Sequence, residues 1–480
     1  MKSAPIVGLL GAAFFLAGIQ AASPPRDLRR GVLLSDLHFD PLADQLLVPK
    51  LIDAPIEQWD GIFQSSREKA FSPRGKDVNY PLMVSALAEA AKQRPNGYVV
   101  FTGDLLRHDF QSAFVSAGGA ADRFPNFATK TITFVIRKLQ RNFKVPVIIA
   151  LGNNDSLDGD YAMPPNSPLF STLENEIDLI AKSPDPSSRV TFEYGGYYRI
   201  PNPINPKLGE LVLNTVLWSS NYSPGAEPLN ILPGDAEMAW FSAQLQQARS
   251  RREKVSLVMH IPPGMDAYSS AKGKPTLMWK TSYQLQFNSL VEKYRDTLLT
   301  SFSGHTHMDD FRVYSDSKPF LAIHTTPAIS PILGNNPGLS SFSFSEKDGQ
   351  IVDISTFYLP LNQASPKWRP EYRFGAAYGT FAYTPGELAS VAKKIRNRGG
   401  EFLAYQKYYD VSASPSPISP ANLPAYSCTE TSFSTDAFSQ CIKSFGATSQ
   451  TLLTTASRSR NRYSSHRSQS PSHPSISASP

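Results

Sequence analysis

Cysteine is scarce: Cys428 and Cys441 are the only two in 480 residues, too few to staple a chain of this length. They either close a small local disulfide or remain a pair of buried thiols. Long apolar runs are missing as well. The one candidate, residues 6–19, falls short of the ~20 residues needed to cross a bilayer, and no later segment approaches it. Preceded by Met1-Lys2 and followed by the small residues Ala21, Ala22 and Ser23, it reads as an export signal cleaved near 21 to 23, the alternative being a retained N-terminal anchor. Charge of one sign is also in short supply. Of a net charge of +6, four come from Arg458, Arg460, Arg462 and Arg467 in an acid-free tail. The main body is nearly neutral, which removes the basis for a nucleic-acid partner or an anionic-membrane role. With 41% hydrophobic residues, disorder throughout is excluded.

What the chain does contain is an alternation of short apolar runs with helix-like stretches, the pattern of an α/β sheet flanked by helices. Residues 31–34 end at Ser35-Asp36, 97–101 at Thr102-Gly103-Asp104, and 145–151 at Gly152-Asn153. Residues 255–259 run into His260, and 298–303 into Gly304-His305. Five predicted strands thus end in polar residues, at the sheet edge where α/β proteins place their ligands. Residues 211–218 and 320–324 read as further strands, and 84–92, 131–140 and 235–249 as helices. Beyond about 360, Trp368, Tyr372, Phe374 and Tyr378 lead into an amphipathic stretch at 387–409, a small helical extension packed by aromatics. From 447 onward Ser, Arg and Pro dominate, the composition of a disordered tail.

The chemistry is concentrated in the histidines. Of eight, five (His38, His108, His260, His305 and His307) fall at or just after predicted strand ends. Each motif alone is weak: Asp36-Leu37-His38 fits any polar loop, Asp104 fits a helix N-cap, and Gly304-His305-Thr306-His307 fits an exposed loop. Their conjunction is specific. Asp36, His38, Asp104, Asn153, His260, His305 and His307 offer two carboxylates, one amide oxygen and four imidazoles, too many donors for one tetrahedral ion. Two ions sharing a bridging carboxylate fit better, since cations roughly 3.5–4 Å apart can hold a hydroxide and clamp the non-bridging oxygens of a phosphoryl group. Mixed imidazole and carboxylate ligation suits zinc, with iron or manganese as alternatives, over calcium or magnesium. His324, in an apolar context, reads as a buried structural histidine, the alternative being support of the site from behind. His466 and His473 lie in the tail and carry no assigned role.

In order and spacing, Ser35-Asp36-Leu37-His38, Gly103-Asp104, Gly152-Asn153-Asn154-Asp155, Val258-Met259-His260 and Gly304-His305-Thr306-His307 resemble the five blocks of the calcineurin-like metallophosphoesterase superfamily. The likeness covers about residues 30–360. More narrowly, Gly103-Asp104-Leu105-Leu106-Arg107-His108-Asp109, His260-Ile261-Pro262-Pro263-Gly264 and Ser303-Gly304-His305-Thr306-His307-Met308-Asp309 resemble the acid sphingomyelinase-like phosphodiesterases. The aromatic extension with its cysteine pair also resembles that group's C-terminal helical subdomain.

The resemblance implies an α/β fold, the metallophosphoesterase double-sheet α/β/β/α sandwich at 27–360 with a small C-terminal helical subdomain at 361–446. A signal peptide at 1–22 and a disordered tail at 447–480 would flank them. It implies further that Asp36, His38 and His307 hold one metal, that Asn153, His260 and His305 hold the second, and that Asp104 bridges both. His108 would protonate the leaving oxygen, the alternative being an exposed loop histidine beside Asp109. One position departs from the pattern: where the superfamily has a histidine after the asparagine of the third block, this chain has Asn154. As a candidate catalytic residue it can hydrogen-bond a phosphoryl oxygen but cannot shuttle a proton at neutral pH.

The expected function is a secreted or periplasmic two-metal phosphodiesterase, acting by in-line attack on a phospholipid or nucleotide-type diester or anhydride. No nucleic-acid partner is expected, and any contact with a membrane surface would be transient. Two alternatives stay open. The Gly152-Asn153-Asn154-Asp155 wording also resembles endopolyphosphatases, and Asn154 leaves room for a non-catalytic, metal-dependent binder of phosphorylated ligands. Loops at 41–80, 156–170 and 221–235 are expected to shape the substrate groove.

Overall fold

Short runs of aliphatic residues buried on both faces form the strands that carry the site, because a parallel sheet covered by helices reads as continuous rather than alternating hydrophobicity. In the computed structural model, which describes residues 27–183, 185–224 and 232–445, these are β1 (Leu28–Leu34), β2 (Val99–Phe101) and β3 (Val147–Ile149), paired in parallel. The expected signal peptide, the tail with His466 and His473, and part of the 221–235 loop lie outside the described residues.

The remaining strands are β4 (Tyr198–Pro201), β5 (Leu208–Val212), β6 (Lys254–Val258), β7 (Ser301–Ser303), β8 (Asp310–Ser315), β9 (Pro319–Thr325), β10 (Gly338–Ser345), β11 (Ile351–Tyr358) and β12 (Arg369–Arg373). They build two six-stranded sheets, ordered β12-β11-β10-β1-β2-β3 and β4-β5-β6-β7-β9-β8. In the second sheet β5, β6, β7 and β9 are parallel, with β4 and β8 antiparallel at the edges. The sheets face each other: Phe302 of β7 packs on Phe342 of β10 with ring centroids 5.1 Å apart, and the Tyr198 hydroxyl donates to the Ile149 carbonyl at 2.8 Å.

Helices cover the outer faces. Helix Tyr80–Lys92 starts where the Asn79 side chain accepts the Leu82 N–H, with Pro81 in its first turn. Its buried residues Leu82, Met83, Ala86, Leu87 and Ala90 recur every three or four positions and pack toward the first sheet beside helix Phe124–Asn142. Helices Pro233–Ser250 and Thr281–Lys293 cover the second sheet in the same way. The α/β/β/α sandwich is thus present.

Two features differ from the sequence reading. Residues 211–218 do not form one strand, because β5 stops at Val212 and Thr215–Trp218 is a 3-10 turn. There the Asn214 N–H donates to Glu237 Oε1 at 2.7 Å and the Trp218 indole N–H to the Gly234 carbonyl at 3.1 Å, so helix contacts replace strand partners. And β12, beyond position 360, pairs with β11 and extends the first sheet. After it, helices Pro385–Arg396, Gly400–Tyr408 and Leu423–Thr429 pack together, the first of them against β8 and β9. Cys428 and Cys441 form a disulfide with Cα atoms 5.8 Å apart. No helix among the described residues is long and apolar enough to cross a membrane.

Candidate metal centre

Each expected donor sits just past a strand end: Asp36 and His38 after β1, Asp104 after β2, Asn153 after β3, His260 after β6, and His305 and His307 after β7. Five of them bend sharply. Asp36, His38, Asp104, His305 and His307 have φ of 46°, 43°, 60°, 73° and 65°, a left-handed region that residues with a Cβ rarely enter. Strain of this kind, roughly 1–3 kcal/mol per residue, persists only where the surroundings over-determine it, and it gathers at functional sites. The loops also approach too closely for any side chain at two positions. A Cβ on Gly152 would lie 2.1 Å from Asp104 Oδ1, and one on Gly304 2.1 Å from Ser35 Oγ.

The seven donors converge in two groups. In the first, His38 Nε2 lies 3.1 Å from His307 Nε2 and 3.8 Å from Asp36 Oδ1, and His307 Nε2 is 3.5 Å from Asp36 Oδ1. In the second, His260 Nε2 lies 3.0 Å from Asn153 Oδ1 and 3.3 Å from His305 Nδ1. Asp104 Oδ2 stands between them, 3.4 Å from His38 Nε2 and 3.2 Å from His260 Nε2. His305 is half-buried and the other six are buried.

The donor chemistry fits cations. His38 Nδ1 faces the Leu106 carbonyl at 3.0 Å and His260 Nδ1 the Thr102 carbonyl at 2.8 Å. In the neutral rings the proton therefore sits on Nδ1, and Nε2 turns a lone pair inward. Among the described residues, neither Asp36 nor Asp104 is paired with Lys or Arg. Burial opposes their charge, yet the surrounding imidazoles hold both carboxyls below the usual carboxylate range. Conversely, burial would discharge His38 and His260, but Asp104 and Asp36 outweigh it and hold both rings up at about 9. His305 and His307 are pushed down by burial, to about 4 and about 3. Two buried carboxylates thus draw positive charge from imidazoles, a deficit that two divalent cations would fill.

His108 and Asn154 flank this centre. The His108 ring stacks on His38 with centroids 4.0 Å apart, and one of its nitrogens lies within 4.8 Å of nitrogens of both His38 and His307. Its side chain is 33% exposed, so one edge reaches the cavity above the centre. Asn154 turns the other way: its backbone N–H donates to Asp104 Oδ1 at 2.8 Å and its side-chain amide to Oδ2 at 3.0 Å. His324 is buried in β9 with Nδ1 3.0 Å from the Tyr383 hydroxyl, away from both donor groups.

Three aspartates escaped the sequence reading. Asp155 accepts the N–H groups of Gly152, Asp104, Leu105 and Leu106 at 2.9, 3.0, 2.8 and 3.1 Å, tying the third loop to the second. Asp160 Oδ1 accepts from Asn153 Nδ2 at 2.6 Å, which turns the Asn153 oxygen toward His260. Asp77 faces His108 Nδ1 at 3.0 Å. Of the three, only Asp155 stands inside a recognisable motif. The other two meet their partners through the fold alone.

A cavity of about 990 Å³ opens above the centre, with His305 and His307 at its floor and Tyr161, Tyr268, Tyr409 and Tyr426 on its walls. The 156–170 loop contributes as expected, the 41–80 loop does so through Arg74, and the 221–235 loop reaches it through Asn221 among the described residues. Residues 266–278 and the C-terminal extension add walls that the sequence did not announce.

Comparison with known proteins agrees with this geometry. Residues 30–309 match the calcineurin-like phosphoesterase family, and residues 318–447 match the acid sphingomyelin phosphodiesterase C-terminal region. The cyclic GMP-AMP phosphodiesterase of Bos taurus is 29% identical over 71% of this chain and 75% of its own length. Sphingomyelin phosphodiesterase B of Dictyostelium discoideum is 28% identical over 83% of this chain and 62% of its own. An acid sphingomyelinase-like phosphodiesterase, 3b of Mus musculus, is 26% identical over 84% and 87%. The chain belongs to the calcineurin-like phosphoesterases, metal-dependent hydrolases, and carries behind that domain the C-terminal region of the acid sphingomyelinase-like phosphodiesterases.

Proposed function

We propose that the chain is a secreted, dinuclear-metal phosphodiesterase of the sphingomyelinase-like group, acting on small-molecule or lipid phosphodiesters of phospholipid or nucleotide type. The observation that carries this reading is the position of Asp104 Oδ2, within 3.4 Å of an imidazole from each donor group. Asp36, His38 and His307 would hold one divalent cation and Asn153, His260 and His305 the other, with Asp104 shared. Zinc suits the donors, with iron or manganese as alternatives. When bound, two such cations supply an activated water and neutralise charge on the phosphoryl oxygens.

The chain's own groups would do the rest. His108, at the cavity edge, would give a proton to the leaving oxygen. Asn154 would keep both oxygens of Asp104 in place rather than touch the substrate. The tyrosine walls would exclude water and orient the ester arms. Relatives named for cyclic GMP-AMP and for sphingomyelin both act on phosphodiesters, which supports a diester over a monoester. The disulfide and the export-signal pattern support secretion.

Hydrolysis of bis-p-nitrophenyl phosphate with and without a chelator tests the reading, with sphingomyelin, a dinucleotide and long-chain polyphosphate compared beside it. Chelator-sensitive turnover, faster on a diester than on polyphosphate, is expected. Tight binding without release would establish a binding protein instead, and preference for polyphosphate would establish a polyphosphatase.

A further inference from the structure

Both carboxylate oxygens of Asp77 engage His108. Oδ2 accepts the His108 backbone N–H at 3.0 Å, and Oδ1 faces His108 Nδ1 at 3.0 Å while also accepting the Ser330 hydroxyl at 3.3 Å. The Asp77 side chain is 2% exposed and that of His108 is 33% exposed, so a buried carboxylate grips an imidazole whose far edge is open to the cavity. An ionised carboxylate only accepts hydrogen bonds, which places a ring proton on Nδ1 and leaves the other nitrogen to exchange protons on the cavity side. Turning the ring over would leave the buried Oδ1 of Asp77 only the longer bond from the Ser330 hydroxyl. Stacking on His38, at 4.0 Å and 21° between planes, blocks intermediate rotations.

We propose that Asp77 is a positioning residue that fixes the orientation and tautomer of His108 for proton delivery to the leaving oxygen. The arrangement has the logic of a carboxylate orienting a catalytic imidazole, assembled from residues 31 apart in sequence. The inference rests on the phosphodiesterase reading and adds to it a residue outside every recognised motif. An amide at position 77 cannot satisfy both donors of His108. Its oxygen would go to the fixed backbone N–H, its NH₂ would meet Nδ1, and the ring proton would move to the cavity side.

A double-mutant cycle on the metal-loaded enzyme separates positioning from support of the fold. Two probes are used, thymidylyl thymidine, whose leaving alkoxide needs a proton, and the p-nitrophenyl ester of thymidine monophosphate, whose leaving phenolate does not. Asp77→Asn should keep its metal and lower kcat on the dinucleotide by about 10²-fold, within the range of a positioned acid. KM should hardly move, and the loss on the nitrophenyl ester should be below about fivefold. In a His108→Ala background, Asp77→Asn should change the dinucleotide rate by less than about threefold, since residues acting as one unit are not additive.

Losses that simply add in the double variant, or that are equal on both probes, would overturn the positioning role while leaving the enzyme reading intact. Failure of the wild-type enzyme to turn over either probe would overturn the enzyme reading and the positioning role with it. Should Asp77→Asn lose metal, Asp77→Ser replaces it in the same cycle, because it removes the carboxylate and places no NH₂ group against the His108 ring. Loss of metal in both variants would assign Asp77 to support of the centre and overturn the proposal.

Discussion

Asn154 holds Asp104 through both of its nitrogens, one on each carboxylate oxygen, at 2.8 and 3.0 Å. The amide at the position where the family resemblance implies an imidazole is thus aimed at Asp104 and not into the cavity. Asp104 accepts on both oxygens from Asn154 while Oδ2 faces two imidazoles, a load that only a carboxylate can carry. Asp104→Asn puts a neutral amide there, with an NH₂ group turned against either Asn154 or the imidazoles. Metal affinity should fall by more than the ~10–100-fold typical of losing an outer hydrogen-bond partner, and activity should fall with it. Metal analysis after purification checks this. A variant that keeps about two metals per chain and normal turnover would refute the shared-ligand assignment.

Asp160 offers a milder test of the same site. Its bond to Asn153 Nδ2 fixes which end of the amide faces His260, so Asp160→Ala frees that amide to flip without removing any donor. Affinity for one of two metals should weaken by about 10–100-fold, with the other site and thermal stability little changed. A two-site metal titration resolves the two steps, and equal weakening of both would argue against the pairing of Asn153 with His260.

How much of this was legible in the sequence follows from where the information is local. Strands β1, β2, β3, β6 and β7 are short apolar runs ending in chemistry-bearing residues, so strand and donor announce each other. The other strands lack such signals. β10 is half serine, with two adjacent serines at 340 and 341 that break its alternation, and β12 is an edge strand, Arg-Pro-Glu-Tyr-Arg, that only its pairing with β11 defines. Residues 215–218 have strand-like composition but turn where Glu237 of the neighbouring helix accepts the Asn214 N–H and the Thr215 hydroxyl accepts the Ile261 N–H. The same holds at the site. All seven candidate donors could be read from strand ends, whereas Asp77 and Asp160 meet their partners only through contacts that the fold creates, and the left-handed φ of five of the seven has no composition signal at all.

Away from the centre, Glu210 of β5 is fully buried and accepts from Asn202 Nδ2 at 2.5 Å. Burial pushes its carboxyl from 4.5 up to about 7, against the pull of hydrogen bonds from Asn202 and Ser256. The folded state therefore holds this proton more tightly than the unfolded chain does. Its contribution to stability is complete below about pH 4.5 and is lost as pH rises through about 7. Between those limits wild type should lose on the order of 2–3 kcal/mol more than Glu210→Gln, whose amide stays neutral. Denaturant unfolding at a series of pH values measures the difference, and parallel pH profiles for the two proteins would contradict it.

The disulfide sits in a hydrophobic cluster of its own. Met265, Ala425, Cys428 and Phe438 pack apart from the main core, and helix Leu423–Thr429 lies against helix Ala267–Ala271. Met265 leads directly into Asp266 and Tyr268, which wall the cavity, so the cluster backs the substrate side and not the metal side. Without the crosslink the unfolded C-terminal segment gains freedom, an effect of about 3 kcal/mol for a loop near 15 residues, and the small cluster has little else to oppose it. Opening should stay on the cavity side, because Thr429 and Glu430 are tied separately to Arg312 and Val313 of β8 by hydrogen bonds outside the small cluster. Replacing both Cys428 and Cys441 by serine should therefore raise KM by about 3–10-fold with kcat nearly unchanged, the pattern of lost uniform binding. Metal content should stay at the wild-type level. Steady-state kinetics and metal analysis on the same preparation decide the matter: a fall in kcat together with loss of metal would place the extension's influence at the centre itself and not at the cavity wall.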